Sequence, residues 1–277
     1  MSNLIVLRGG GDLASGVALR LHRAGFQLVI IELEKPLAVR RSVSFSEAVY
    51  DGVQTVEGTT ARLVSPDQLQ VTLDAGEIPV LIDPNAHILR NQFLTSPQST
   101  FLVDARLLKT EPEHLDVNIP LHIGLGPGFC AGENCHAVIE TRRGHTMGRV
   151  YWKGTALADS GEPDGDRRRV LRATFDGVLS SDVKIGDHLE EGQYIAEIEP
   201  DDGSDVSRIF SPFKGVLRGL IRPGHHVKRG MKIGDVDRRS DPSMCLLVSD
   251  KALAVGGGVL EAVLTHIKST ESGGFNV

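Results

Sequence analysis

ATFDGVLSSDVKIGDHLEEGQYIAEIE (residues 173–199) and SPFKGVLRGLIRPGHHVKRGMKIGDVD (residues 211–237) are two copies of one unit and align without a gap. Phe175 falls on Phe213, Gly177 on Gly215, Leu179 on Leu217, Gly186 on Gly224, His188 on His226 and Ile195 on Ile233. Short β-rich runs with glycine at each turn, duplicated once, predict two interlocked halves of a small β-sandwich.

The pattern resembles the biotinyl/lipoyl-like barrel-sandwich hybrid, a family that carries its prosthetic group on a lysine between the halves. Here that stretch, PDDGSDVSRIFSP (200–212), contains no lysine. A swinging arm is therefore not expected, and the module is expected to pack against something or to shape a cleft.

Toward the amino end, Leu4–Leu7 is an apolar run of the kind a buried parallel strand shows. Gly9-Gly-Gly-Asp-Leu-Ala14 follows at once, with Gly16 two residues later. Leu13, Val17 and Leu21 then share one helix face, Gly25 ends the helix, and Gln27–Glu32 reads as a second strand. Gly9, Gly10, Gly11 and Gly16 match a phosphate-binding turn, and Glu32 lies where an acid reaches a ribose hydroxyl. The competing reading is a ligand-free strand-to-helix turn capped by Asp12.

Further α/β units follow. Pro79–Asp83 and Phe101–Asp104 read as strands ending in acids, and His87–Phe93 as a short helix. Residues 53–56, 61–64 and 69–73 have β character. Arg40 and Arg41 are either solvated charges or a phosphate grip.

The richest chemistry lies in Ile123–Arg149, a glycine-dense loop with Cys130, Cys135, His136, Glu140, Arg142, Arg143 and His145. His136, Glu140, Arg143 and His145 are the candidate catalytic residues, through proton transfer and charge stabilisation. The alternative is an ion-pair network in which Glu140 pairs with Arg143 or Arg149. The Cys-x4-Cys-His spacing lacks a second paired half, so no metal is assigned.

Composition sets bounds. At 277 residues the chain is long enough for two domains, and 40% hydrophobic with 24% charged residues is ordinary for a soluble protein. A net charge of −6 without a basic block argues against nucleic-acid binding. The amino end reads as neither signal peptide nor membrane span. Three cysteines make no disulfide framework, which points to the cytoplasm.

Four stretches carry a further resemblance: RGGGDLASGVALRLHRAGF (8–26), EKPLAVRRSVSFSEAVYDG (34–52), GLGPGFCAGENCHAVIETRRGHTMGRV (124–150) and VLRGLIRPGHHVKRGMKIGDVD (216–237). They resemble the YqeB-like accessory proteins of the selenium-dependent molybdenum hydroxylase system, distantly similar to xanthine dehydrogenase accessory factors. The resemblance implies a maturation role toward a molybdenum hydroxylase client, handling a phosphate-bearing ligand such as NAD or a molybdopterin-type cofactor. The alternatives are an NAD-dependent oxidoreductase and a non-enzymatic scaffold that docks the client. A homo-oligomer is compatible with each.

The expected architecture is an α/β chain with a Rossmann-like parallel-sheet domain at 1–145 and a linker at 146–167. A barrel-sandwich hybrid at 168–239 follows, with a closing strand, helix and tail at 240–277. The 124–149 loop is expected at the carboxyl edge of the sheet, facing Gly9–Gly11.

Overall fold

The computed structural model describes residues 3–90, 100–159, 161 and 165–271. The chain divides into two units. Unit 1 comprises Met1–Pro36, Phe45–Ser160 and Val248–Val277, and unit 2 comprises Leu37–Ser44 and Gly161–Leu247.

In unit 1, β1 (Leu4–Arg8), α1 (Asp12–Arg23) and β2 (Gln27–Glu32) are followed by α2 (Ala48–Asp51). Next come β3 (Val53–Val56), β4 (Thr59–Leu63), α3 (Leu69–Asp74), β5 (Ile78–Ile82) and β6 (Thr100–Asp104). β7 (His122–Leu125), β8 (Cys130–Ala131), β9 (Ala137–Ile139), β10 (Val150–Tyr151) and β11 (Gly154–Thr155) complete its strands. The main sheet has the order β10-β9-β7-β6-β1-β2-β5-β4-β3. Its inner strands are parallel, whereas β3 and β10 pair antiparallel at the two edges.

The two faces of this sheet are covered differently. On one, Val6, Val29, Ile31, Leu81 and Leu102 share a core with Leu69 and Leu73 of α3, Ile88 and half-buried Leu115 and Ile119. On the other lie α1 and the helix that returns after unit 2, α4 (Asp250–Glu271). These two helices approach so closely that a Cβ on Gly16 would stand 2.5 Å from the Ala252 Cβ. By length and composition Pro242–Glu271 would pass as a membrane span. In the fold, Ala252, Val255, Val259, Ala262 and Val263 are buried, so α4 is a core helix of unit 1.

Unit 2 contains β12 (Val170–Arg172), β13 (Gly177–Ser180), β14 (His188–Leu189) and β15 (Tyr194–Pro200). β16 (Ser207–Phe210), β17 (Gly215–Leu220), β18 (His226–Val227) and β19 (Lys232–Asp237) follow. They form two four-stranded antiparallel sheets, β12-β19-β17-β14 and β16-β15-β13-β18, each with strands from both sequence copies. Leu179 and Leu217, Leu189 and Val227, and Ile195 and Ile233 fill one core as equivalent pairs. Leu37–Ser44, assigned from sequence to the first domain, lies in unit 2, where Arg41 Nε donates to the Leu220 carbonyl at 2.8 Å.

The structure therefore corrects the expected fold class. A mixed nine-stranded sheet and two antiparallel sheets stand where a parallel Rossmann-like domain and a biotinyl/lipoyl-like hybrid were expected. Between β6 and β7 there is no crossover helix. Residues 105–121 hold Pro112 and Pro120 and form no helix, so this part of the sheet is covered by loop.

Two local expectations also change. Residues 69–73 are helical, because Ser65 and Gln68 form a capping box with Pro66 at the helix start. His87–Arg90 is a 3-10 turn, and the rest of the helix expected to Phe93 lies outside the described residues. The same is true of the end of the carboxyl-terminal tail and part of the linker.

Candidate functional site

The glycine turn after β1 is filled by the protein itself. The Gly10 amide donates to Glu32 Oε1 at 2.6 Å, and the Leu33 amide donates to the other oxygen of that carboxylate at 2.8 Å. Glu32 is 8% exposed, and burial raises its pKa against those two hydrogen bonds. A carboxylate so placed repels a second anion at the same amide. Ser15 Oγ accepts from the Phe45 amide at 2.8 Å and lies 3.0 Å from the Gly11 carbonyl, closing the turn further. A Cβ on Gly10 would meet the Ser46 nitrogen at 2.9 Å, so Gly10, like Gly16, marks a close approach of protein to protein. Gly9 takes φ +94° beside the Ala105 backbone, and only Gly11 has open space. Asp12 begins α1 without serving as its cap, since Gly11 is the N-cap.

At the carboxyl ends of β1 and β6 an ion-pair network crosses the sheet. Arg106 forks onto Asp104, at 2.9 and 2.6 Å, and onto Glu113, at 3.1 and 3.0 Å. Arg8, 5% exposed, reaches Glu113 at 2.5 Å. Burial works to raise the Glu113 carboxyl, but hydrogen bonds from Arg106, its own backbone and Arg8 outweigh it and hold the group at about 2. Asp83 is spent too, accepting from the His87 and Ile88 amides at 2.9 and 2.8 Å.

The glycine-dense loop packs against its neighbours. A Cβ on Gly124 would fall 2.1 Å from the Phe129 ring, and one on Gly128 would fall 2.2 Å from the Thr110 carbonyl. Gly126 also lies against Leu107 and Leu108. Residues 105–110 thus lie against this loop and, through Ala105 and Arg106, against Gly9. The expected face-to-face contact between the loop and Gly9–Gly11 is replaced by this intervening segment.

β7 and β9 pair in parallel and bring two histidines together. The His136 amide donates to the His122 carbonyl at 2.8 Å, and the His122 amide donates to His136 Nδ1 at 2.9 Å. His136 Nδ1 is therefore an acceptor, and the ring proton of neutral His136 sits on Nε2. Next to this pair, Cys130 and Asn134 close a turn: the Cys130 amide donates to Asn134 Oδ1 at 2.8 Å, and the Asn134 amide donates to the Cys130 carbonyl at 3.1 Å. Between that turn and residues 111–119 opens a cleft of about 610 Å³, lined by Glu113, His122, Glu133, Asn134, His136 and Trp152 among others.

Burial governs the two paired histidines and the thiol that line this cleft. Burial, with the charges of His136, Arg106 and Arg8, outweighs Asp104 and lowers His122 to about 4. His122 Nε2 is buried without a hydrogen-bond partner among the described residues. Burial lowers His136 also, and pushes the Cys135 thiol up to about 12. Among the described residues no three His, Cys, Asp or Glu side chains converge to hold a metal.

Of the four residues read as catalytic, only His136 lines this cleft. Glu140, Arg143 and His145 lie past the opposite end of β9. Glu140 is fully buried and accepts from the Arg142 amide at 2.7 Å and the Leu157 amide at 2.9 Å. Arg143 forks onto Asp250 with both contacts at 2.8 Å, and exposed His145 offers its carbonyl to Arg149 Nε. His122, Glu113, Glu133, Asn134 and Trp152 were not singled out from sequence. His122 sits one residue before the segment read as chemically rich.

No family profile matches the chain. It is 45% identical over 267 residues to the protein named "Uncharacterized protein YqeB" of Escherichia coli (strain K12), an alignment that takes in 94% of this chain and 47% of that protein. This similarity supports a YqeB-like family, and the chain spans about half the length of the curated relative it matches. Among solved structures it is similar to the product-bound ectoine utilization protein EutE (DoeB) of Ruegeria pomeroyi, with 14% identity, 85% of each chain covered and a TM-score of 0.27. A succinylglutamate desuccinylase of Silicibacter sp. TM1040 matches at 12% identity and TM-score 0.26, covering 85% of this chain and 84% of that one. An aspartoacylase family protein of Mesorhizobium loti MAFF303099 matches at 13% and 0.29, covering 86% of both.

The name YqeB carries no activity. With the Gly10 amide of the expected phosphate turn taken by Glu32, and no activity in the relative's name, the molybdenum hydroxylase maturation reading is withdrawn, together with its NAD-oxidoreductase and client-scaffold alternatives. TM-scores this low transfer no hydrolase activity to this chain.

Proposed function

We propose that this chain binds a small organic molecule in the cleft between residues 111–119 and the Gly132–His136 turn. The ligand class is a flat, neutral or cationic nitrogen compound. The observation that carries the reading is the paired His122 and His136 that line the cleft, with His122 Nε2 buried and without a hydrogen-bond partner among the described residues.

The surroundings support the ligand class. A volume of about 610 Å³ suits a small molecule. Trp152 supplies an aromatic wall, Glu111 and Glu133 add negative charge, and Asn134 adds a polar amide. Arg8 and Arg106, whose charges act on His122, are held by Asp104 and Glu113, so neither is free to meet a phosphate or carboxylate there. Neutral imidazoles can hydrogen-bond or move a proton, whereas a thiol at about 12 supplies no nucleophile. A cytoplasmic setting fits the three free cysteines.

The test is a thermal-shift series with aromatic amines and N-heterocycles against carboxylates and inorganic phosphate. A ligand at about 100 times its Kd stabilises by about 2.7 kcal/mol. The expected result is a higher melting temperature with the nitrogen compounds, lost in Trp152→Ala and reduced in Glu133→Gln. Stabilisation by anions alone, or a shift that survives Trp152→Ala, overturns the proposal.

A further inference from the structure

A second cleft in unit 1 opens at the carboxyl ends of β4 and β5 and shares no lining residue with the one beside His136. The two strands are parallel neighbours, with Leu63 and Ile82 as their last residues. The carboxyl edge of a parallel sheet is where open α/β folds hold their ligands. The cleft encloses about 660 Å³, a size that suits a small molecule. Its wall includes Val64, Leu81 and Ile88, which belong to the core of unit 1. Ile82 lines it as well and is 45% exposed, although β5 is an inner strand held between β2 and β4. An apolar ligand seated here would cover surface that the chain leaves in water.

Two polar side chains in this lining are already tied to each other. Besides the His87 and Ile88 amides, the Asp83 carboxylate meets His87 Nδ1, with Oδ1 3.1 Å from that nitrogen. A carboxylate only accepts, so the ring proton of neutral His87 is fixed on Nδ1 and Nε2 is left as an acceptor. His87 lines the cleft, and its Nε2 has no hydrogen-bond partner among the described residues. We propose that this cleft binds a neutral, largely apolar molecule with one hydroxyl, of the alkylphenol type, whose hydroxyl donates to His87 Nε2. Its hydrocarbon body packs on Leu63, Leu81, Ile82 and Ile88. Asp83 beside the histidine repels a carboxylate in the same place. The site does not depend on what the cleft of His122 and His136 binds.

The test is isothermal titration calorimetry of the full chain at pH 8 with 4-propylphenol, its methyl ether and 4-propylbenzoate. One saturable site is expected for the phenol, with the ether and the carboxylate weaker by about fivefold or more, the loss of one hydrogen bond. Ile82→Asp should abolish binding by placing a charge in the apolar wall. His87→Asn keeps an amide that can donate to Asp83 but offers nothing at the Nε2 position, and should weaken the phenol by about fivefold. His87→Gln, which carries an amide oxygen near that position, should recover part of the loss. Ile82 and the His87 side chain are exposed, so these variants should melt like the wild type. Trp152→Ala should bind the phenol unchanged, because Trp152 lines only the other cleft. No saturable binding, or binding indifferent to Ile82→Asp, overturns the proposal. So does an ether or carboxylate that binds as well as the phenol, and so does binding lost in Trp152→Ala, which would put the phenol in the other cleft.

Discussion

Replacing Gly16 by alanine separates the two meanings of the glycine turn. If Gly16 serves the packing of α1 on α4, the new methyl meets the Ala252 Cβ at 2.5 Å, its carbonyl carbon at 2.8 Å and its oxygen at 2.9 Å. Two of those atoms are backbone and cannot rotate away, so the helices must separate. Overpacking of this kind costs about 1–3 kcal/mol, and the upper end applies when backbone must move. Alanine returns about 1 kcal/mol through its helix propensity. The net loss is about 2 kcal/mol, which lowers the melting temperature by about 4–8 °C for a unit of this size. Thermal melts by circular dichroism measure it. Gly11→Ala is the steric control, since nothing lies within 4 Å of a Cβ there, and its loss should be limited to the roughly 1 kcal/mol of a poorer N-cap. Adding Ala252→Gly to Gly16→Ala should recover part of the loss, because it removes the facing methyl. A Gly16→Ala protein that melts at or above wild type refutes the reasoning.

Three further outcomes are expected. His122 has its folded pKa, about 4, below the ordinary 6.5, so its contribution is fully present above about pH 6.5 and is lost as pH falls through 4. At 1.36 kcal/mol per unit that is roughly 3 kcal/mol. Denaturant titrations across this window should show a flatter pH dependence in His122→Phe, and an unchanged slope would count against the assignment. Glu140→Ala removes the acceptor of two part-buried amide donors and should cost about 1–3 kcal/mol, whereas exposed His145→Ala should change stability by less than about 0.5. Similar melting temperatures for the two would show that Glu140 is not a brace. Glu32→Ala frees the Gly10 amide, so melting of that variant should rise with sulfate more steeply than wild type. Equal sulfate responses would mean that Glu32 does not fill the anion position.

The sequence is most legible where the information is local. The Leu4–Leu7 run, the glycine turn and Glu32 at the end of the next strand are all where their spacing places them, because a strand, a turn and a helix each follow from neighbouring residues. What the spacing does not reveal is which group accepts from the Gly10 amide. A fingerprint with an acid at the second strand's end presumes a cavity between them, yet the Glu32 side chain is long enough to cross that gap and accept at 2.6 Å. His122 and His136 show the same limit from the other side. Fourteen residues separate them in the chain, and nothing nearby marks them as partners. They meet because β9 pairs in parallel with β7, and that register depends on how the intervening loop folds Phe129 over Gly124. Glu140, Arg143 and His145 sit closer to His136 in sequence but past the far end of the three-residue strand β9, where one meets backbone amides and another meets Asp250. Proximity along the chain therefore grouped four residues that a short strand separates, and missed the histidine that the same strand brings into contact.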